Sequence, residues 1–130
     1  MDEEVKAPYP DTGMLAVLAR LAFCAAVIAI VTAVLAPVQA VPKFLVSHYL
    51  EHFSAFYIAT LAGLAAMPRT RIFKISLGFL LFALLLECGH LLWDPSVEGA
   101  RRNWVANSGG VFAALAPVLV DRFRQRFARR

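Results

Sequence analysis

Charged residues are scarce in this sequence: they make up 17% of its 130 residues, while apolar residues make up 60%. An average soluble domain has about 25% of its residues charged. Cysteine is scarce too, since Cys24 and Cys88 are the only two and are too few for a disulfide framework. The sequence has no internal repeat and no low-complexity tract. These deficits exclude a soluble domain, a secreted disulfide scaffold and a repeat protein.

What the sequence does have is long apolar runs. Four of them are long enough to cross the roughly 30 Å hydrocarbon layer of a bilayer, which takes about 20 helical residues. They lack the alternation of barrel strands, and only helices or closed barrels satisfy their backbone groups in lipid. The sequence therefore predicts an all-α membrane protein with four transmembrane helices in a compact bundle. The predicted spans are 14–36, 48–67, 72–93 and 103–120.

The distribution of positive charge predicts the orientation of these helices. Arg69, Arg71 and Lys74 lie around the second connection, and residues 121–130 form a strongly basic end. With four crossings the two regions lie on one side, so the positive-inside rule places both termini in the cytoplasm. We therefore expect an acidic cytoplasmic tail at 1–13, a transmembrane domain at 14–120 and a basic cytoplasmic tail at 121–130.

The two ends of the chain differ in character. The acidic, proline-containing start lacks the basic n-region of a signal peptide, so we expect the first span to remain as an anchor. Phe123 and Phe127 alternate with arginines at helical spacing in the basic tail, which suits an anionic lipid surface. Membrane lipids, rather than nucleic acid, are the expected partners.

Small residues at four-residue spacing predict where the helices pack, because helices in lipid associate through close backbone contact. Three predicted helices carry such a ridge. The ridges are Ala25, Ala29 and Ala33 in the first helix, Ala55, Ala59 and Gly63 in the second, and Ala106, Gly110 and Ala114 in the fourth.

Glu87 is the clearest candidate for a functional residue. It is a carboxylate inside an apolar run, and an ionisable group at membrane depth costs several kcal/mol unless it has a partner. His90 is its neighbour on the same helix. With a rotation of 100° per residue, His52 lies on the same face of the second helix as its small-residue ridge, and Asn107 lies on the same face of the fourth helix as its ridge. Helical rise places them within about one turn of the depth of Glu87.

These residues predict a polar pocket in the outer leaflet, with arginines on the loop above it attracting an anionic group such as phosphate. A polar cluster with a purely structural role would use the same residues. The predicted set is His52, Glu87, His90, Asn103 and Asn107, with Arg101 and Arg102 in the loop.

Two alternatives involve a metal, although we expect no cofactor. His48, Glu51 and His52 form an H-x-x-E-H pattern, which with Glu87 or His90 as a third protein ligand would suit zinc. The reaction would be metal-assisted hydrolysis, with Glu51 activating the bound water. The other alternative is a haem held by His52 and His90 in a membrane subunit. A scaffold role is a further possibility, and the sequence leans toward a non-enzymatic protein.

The stretch EHFSAFYIATLAGL, followed by LLLECGHLLWDPSVEGARRNWVANSGG, resembles the VanZ-like family of small membrane proteins. The resemblance covers about residues 44–118. The family has a His-Phe pair opening one helix, a glutamate near the end of the next, and an Asn-x-x-Gly in the last. The matching residues are His52 and Phe53, then Glu87, then Asn107 and Gly110.

Other positions depart from the family pattern. His90 stands where the family usually has Gln, Asn103 where it usually has Asp, and His48-Tyr49 where Asp-Lys is common. The resemblance implies a multi-pass protein of the bacterial inner membrane, in a family tied by name to resistance to the lipoglycopeptide teicoplanin. No catalytic chemistry is established for that family. An envelope lipid or a lipoglycopeptide is therefore the implied ligand.

Overall fold

Four α-helices make up most of the described chain, which comprises residues 13–36, 43 and 45–128 of the computed structural model. The prediction of an all-α protein with four helices is confirmed. Most of the predicted acidic tail, the prolines of the first connection and the last two residues of the basic tail lie outside the described residues. The helices are α1 (Met14–Leu35), α2 (His48–Ala66), α3 (Ile72–His90) and α4 (Val97–Ala128).

Helices α1, α3 and α4 are each long and apolar enough to cross a membrane, which indicates a multi-pass membrane protein. Within the described residues α2 does not reach the same apolar character. Its 19 residues are long enough, but His48, Glu51 and His52 at its start lower its hydropathy. A crossing by α2 therefore stays a prediction.

The start of α4 is fixed by local hydrogen bonds. The Ser96 hydroxyl oxygen accepts from the amide of Gly99 at 3.1 Å, as an N-cap serine does. The amide of Ser96 in turn donates to the Asp94 carboxylate at 3.1 Å. Together these contacts start the helix at Val97, well ahead of the predicted boundary.

Because α4 begins early, the prediction that Arg101 and Arg102 lie on a loop is wrong. Both are helical residues near the start of α4. At its far end α4 continues beyond the predicted span, through the basic segment to Ala128. α4 therefore has 32 residues and is the longest helix of the described chain.

The core is formed mainly by α2, α3 and α4, and the most extensive contact joins α2 to α4. Gly110 of α4 lies directly on the backbone of α2 at Phe53. A Cβ at Gly110 would collide with the Phe53 carbonyl oxygen and lie 2.9 Å from the amide nitrogen of Tyr57. The ridge predicted on α4 therefore lies at this contact, whereas Gly63 of the ridge predicted on α2 faces Phe79 of α3 and Phe23 of α1. The buried core residues are Ile30, Phe56, Ala59, Ile75, Phe79, Ala83, Val111 and Leu115.

The ridge predicted on α1 does not pack within the described chain, and that prediction is wrong. Ala25, Ala29 and Ala33 are exposed. α1 instead reaches the core through Ile30 and through Phe23, whose ring meets that of Phe79 edge-on at 6.1 Å between centroids. Helical spacing predicts which residues share a face of a helix, but it does not predict which face packs against another helix.

Candidate functional site

Glu87 lies near the end of α3, where its side chain is enclosed by α2 and α4. The residue is only 4% exposed. Two amide groups from α4 donate to its carboxylate: Asn103 Nδ2 to Oε2 and Asn107 Nδ2 to Oε1, each at 3.3 Å. The two asparagines are four residues apart and so project from the same face of α4. One face of α4 thus donates a hydrogen bond to each carboxylate oxygen of the buried Glu87.

Two imidazoles approach the same carboxylate from other directions. His52 Nδ1 of α2 lies 3.8 Å from Oε1, and His90 Nδ1 of α3 lies 3.7 Å from Oε2. Taking an ionised carboxylate out of water costs several kcal/mol, so partners within this distance matter to its charge state. The two amide groups hydrogen-bond the Glu87 carboxylate, and the two imidazoles lie just beyond hydrogen-bond distance from it.

Asn107 connects the carboxylate to α2. While its Nδ2 donates to Glu87, its Oδ1 lies 2.8 Å from His52 Nδ1. The other ring nitrogen of His52 lies 3.1 Å from His48 Nε2 at the start of α2. Hydrogen-bonded contacts therefore lead from the buried acid to an exposed histidine.

The structure brings five of the predicted site residues together around one carboxylate. We call this group the polar cluster: His52, Glu87, His90, Asn103 and Asn107. It contains a carboxylate, two imidazoles and two carboxamides. Such a set can hold and exchange protons, and it can donate or accept hydrogen bonds with a polar ligand.

The two predicted arginines lie apart from the polar cluster, on the exposed start of α4. Both bind a single carboxylate, that of Glu98: Arg101 Nη2 and Arg102 Nε each lie 2.9 Å from Oε1. Glu98 precedes the predicted apolar span, and hydrogen bonds from Arg101 and then Arg102 lower the pKa of its carboxyl group. Two guanidinium groups that share one carboxylate leave a net positive charge within this group of three side chains.

A shallow groove of about 450 Å³ opens beside these arginines. We call it the arginine groove: it is lined by Tyr49, Arg101, Arg102 and Val105. Tyr49 of α2 and Arg102 of α4 line the groove together, so the start of α2 meets the start of α4 there. Sequence reasoning missed Tyr49 and Glu98. The spacing of Glu98, three and four residues before the arginines, was the available signal.

The metal alternatives are not supported by the geometry. Within the described residues no three or more His, Cys, Asp or Glu side chains are arranged to hold a metal ion. Of the predicted zinc ligands, Glu51 is directed elsewhere, since its carboxylate accepts from the amide of Leu45 at 2.9 Å. Of the predicted haem ligands, His52 and His90 each lie against a different oxygen of Glu87.

Comparisons with known proteins do not identify a family for this sequence. The sequence matches no protein-family model, and neither a curated protein nor a solved structure matches it.

Proposed function

We propose that this chain is a VanZ-like, non-enzymatic protein of the bacterial inner membrane that binds the anionic headgroup of an envelope lipid. The proposal rests on three features: the candidate spans, the polar cluster and the arginine groove. The family assignment rests on the motif residues around His52, Glu87 and Asn107. It supplies the envelope context and the link to teicoplanin-type resistance.

In the proposed topology all four helices cross the membrane and both termini are cytoplasmic. A 19-residue helix is about 28 Å long, so α2 can reach across the hydrocarbon layer. Glu87 and His52 are turned toward other helices, which is the usual arrangement for ionisable groups in membranes. The positive-inside rule then places Arg69 and Arg71 in the cytoplasm and the arginine groove on the outside.

The ligand class follows from the chemistry of the groove. Guanidinium groups bind phosphate through paired N–H donors, and Tyr49 adds a hydroxyl group. Val105 gives the groove an apolar wall, which suits the acyl side of a headgroup. Phosphatidylglycerol has one anionic phosphate and an uncharged glycerol group, so it is the phospholipid chosen to test the groove.

One observation carries the proposal: the groove and the polar cluster are built from the same two helix ends. Tyr49 lies one turn before His52 on α2, and Arg102 is adjacent to Asn103 on α4. A headgroup held by the arginines would therefore sit beside the polar cluster.

The test uses tryptophan fluorescence of the full chain in bilayers of phosphatidylcholine with increasing brominated phosphatidylglycerol. The chain has two tryptophans, and Trp93 and Trp104 both lie near the outer end of the proposed bundle. We expect saturable quenching, with a half-quenching concentration that rises about thirtyfold in Arg101→Gln/Arg102→Gln, since each of the two surface charges contributes about 1 kcal/mol.

The matched control is Arg122→Gln/Arg124→Gln, which removes the same charge from the far end of α4. We expect its quenching curve to follow that of the parent protein. Equal curves for all three proteins, or equal shifts in both variants, would refute the groove as the binding site.

A further inference from the structure

The hydrogen positions in the polar cluster follow from what each group can donate. An ionised carboxylate only accepts hydrogen bonds, so Asn107 must turn its Nδ2 toward Glu87 and its Oδ1 toward His52. Because Oδ1 also only accepts, the hydrogen between them belongs to His52 Nδ1. The charge of Glu87 thereby determines the tautomer of a histidine on another helix.

The next contact outward joins two imidazoles. His48 Nε2 and His52 Nε2 face each other at 3.1 Å, and the rings lie 4.5 Å apart between centroids. Two facing nitrogens have room for one hydrogen between them, so the pair carries at most one positive charge. With its Nδ1 protonated, neutral His52 accepts from His48 Nε2. His48 is exposed at the first residue of α2.

We propose that His48, His52 and Glu87 form a relay that carries protons between the aqueous end of α2 and the buried carboxylate. Inward transfer takes one proton from water onto His48 Nδ1. The proton on His48 Nε2 then passes to His52 Nε2. The His52 ring and the Glu87 carboxylate, now 3.8 Å apart, close to hydrogen-bond distance, and the proton on His52 Nδ1 leaves Asn107 Oδ1 and passes to Glu87 Oε1. One proton enters, one carboxylate is neutralised, and both histidines end neutral in the opposite tautomer.

Asn107 gives the relay two stable arrangements. After transfer Glu87 is a donor and His52 Nδ1 is an acceptor, which is the reverse of the starting state. Rotation of the Asn107 amide by half a turn satisfies both, with Oδ1 accepting from Glu87 and Nδ2 donating to His52. Asn103 stays on the other carboxylate oxygen and holds it in place.

Other ionisable groups near the relay could also exchange protons or interact with its residues. His90 contacts Glu87 Oε2 at 3.7 Å and is partly exposed, so its substitution tests whether protons reach Glu87 from α3 instead of through His52. Glu51 is turned toward Leu45. The arginines and Glu98 lie at the exposed start of α4. The relay is independent of lipid binding, because it uses none of the residues that line the arginine groove.

The experiment follows protonation of Glu87 by time-resolved infrared difference spectroscopy of the full chain in lipid nanodiscs after a pH step. The step spans about pH 4 to 7, where carboxyl and imidazole groups ordinarily titrate. The carbonyl band of the protonated acid is assigned by its loss in Glu87→Gln. We expect His52→Gln to slow its appearance about a hundredfold, as for loss of a positioned proton-transfer group.

His48→Gly keeps the test decisive if His52→Gln fails to fold, because residue 48 is exposed at the helix start. We expect about tenfold slowing, reversed by added imidazole, which replaces the missing proton carrier. His90→Gln is the control and should leave the rate unchanged. An absent carboxyl band, rates unaffected by both His48 and His52, or slowing by His90→Gln alone would overturn the relay.

Discussion

Helix α1 and helix α4 show opposite relations between sequence and burial. α1 is the more apolar of the two, yet only 11% of its most apolar 18 residues are buried, against 39% in α4. α4 buries Asn103, Asn107 and Gly110, while α1 exposes its alanine ridge. In lipid, apolar side chains gain nothing by leaving the solvent, so small and polar residues of α4 can share the interior with Val111 and Leu115. Burial here follows packing and hydrogen bonding rather than hydropathy.

The largest expected effect breaks the contact between α2 and α4. Gly110→Ala places a methyl group against the Phe53 backbone, which cannot move as a side chain does. We expect a loss of about 3 kcal/mol in the free energy of unfolding, the upper range for overpacking. The measurement is SDS-induced unfolding in mixed micelles, followed by circular dichroism.

Two controls separate the effect of breaking the contact between α2 and α4 from the effect of adding side-chain atoms to a helix. Gly78→Ala in α3 adds the same methyl group where nothing lies within 4 Å, and it should cost nothing, since alanine favours helix by about 1 kcal/mol. Ala29→Leu on the exposed ridge of α1 should change stability by less than about 0.5 kcal/mol. A loss in Ala29→Leu as large as in Gly110→Ala would show that the comparison between α1 and α4 is wrong.

The next effect concerns the polar interior of α4. Asn107→Leu removes the group that satisfies both Glu87 and His52, and we expect a loss of about 2 kcal/mol from the unpartnered buried groups. Thr32→Val is the matched polar change on α1, where residue 32 is exposed. Its unfolding curve should overlay that of the parent protein. The same micelle titration compares the two, and equal losses would contradict the distinction.

The smallest effect concerns the attachment of α1. Phe23→Ala removes the ring that meets Phe79, and we expect a loss of about 1 kcal/mol, because lipid can replace part of the lost contact. Cooperative unfolding of the remaining helices should persist in the same titration. A loss larger than that of Asn107→Leu would show that α1 belongs to the core rather than to its edge.

Much of this fold could be predicted from long apolar runs, because their length and composition allow few structures other than helices. The convergence of His52, Glu87 and Asn107 was also predictable, since helical spacing and depth place them on inward faces. The exposed ridge of α1 was not, because spacing within one helix carries no information about its partner. The arginines were misplaced because the Ser96 cap and the Glu98 ion pairs extend α4 beyond its apolar part.

The length of α4 has a mechanical consequence. Its 32 residues extend about 48 Å, well beyond the roughly 30 Å of a hydrocarbon layer. Phe123 and Phe127, with rings 4.7 Å apart, lie near one end, and Asn107 lies toward the other. In a bilayer the aromatic pair would anchor that end at the interface. Bilayer thickness would then set how deep the Glu87 carboxylate lies below the opposite surface.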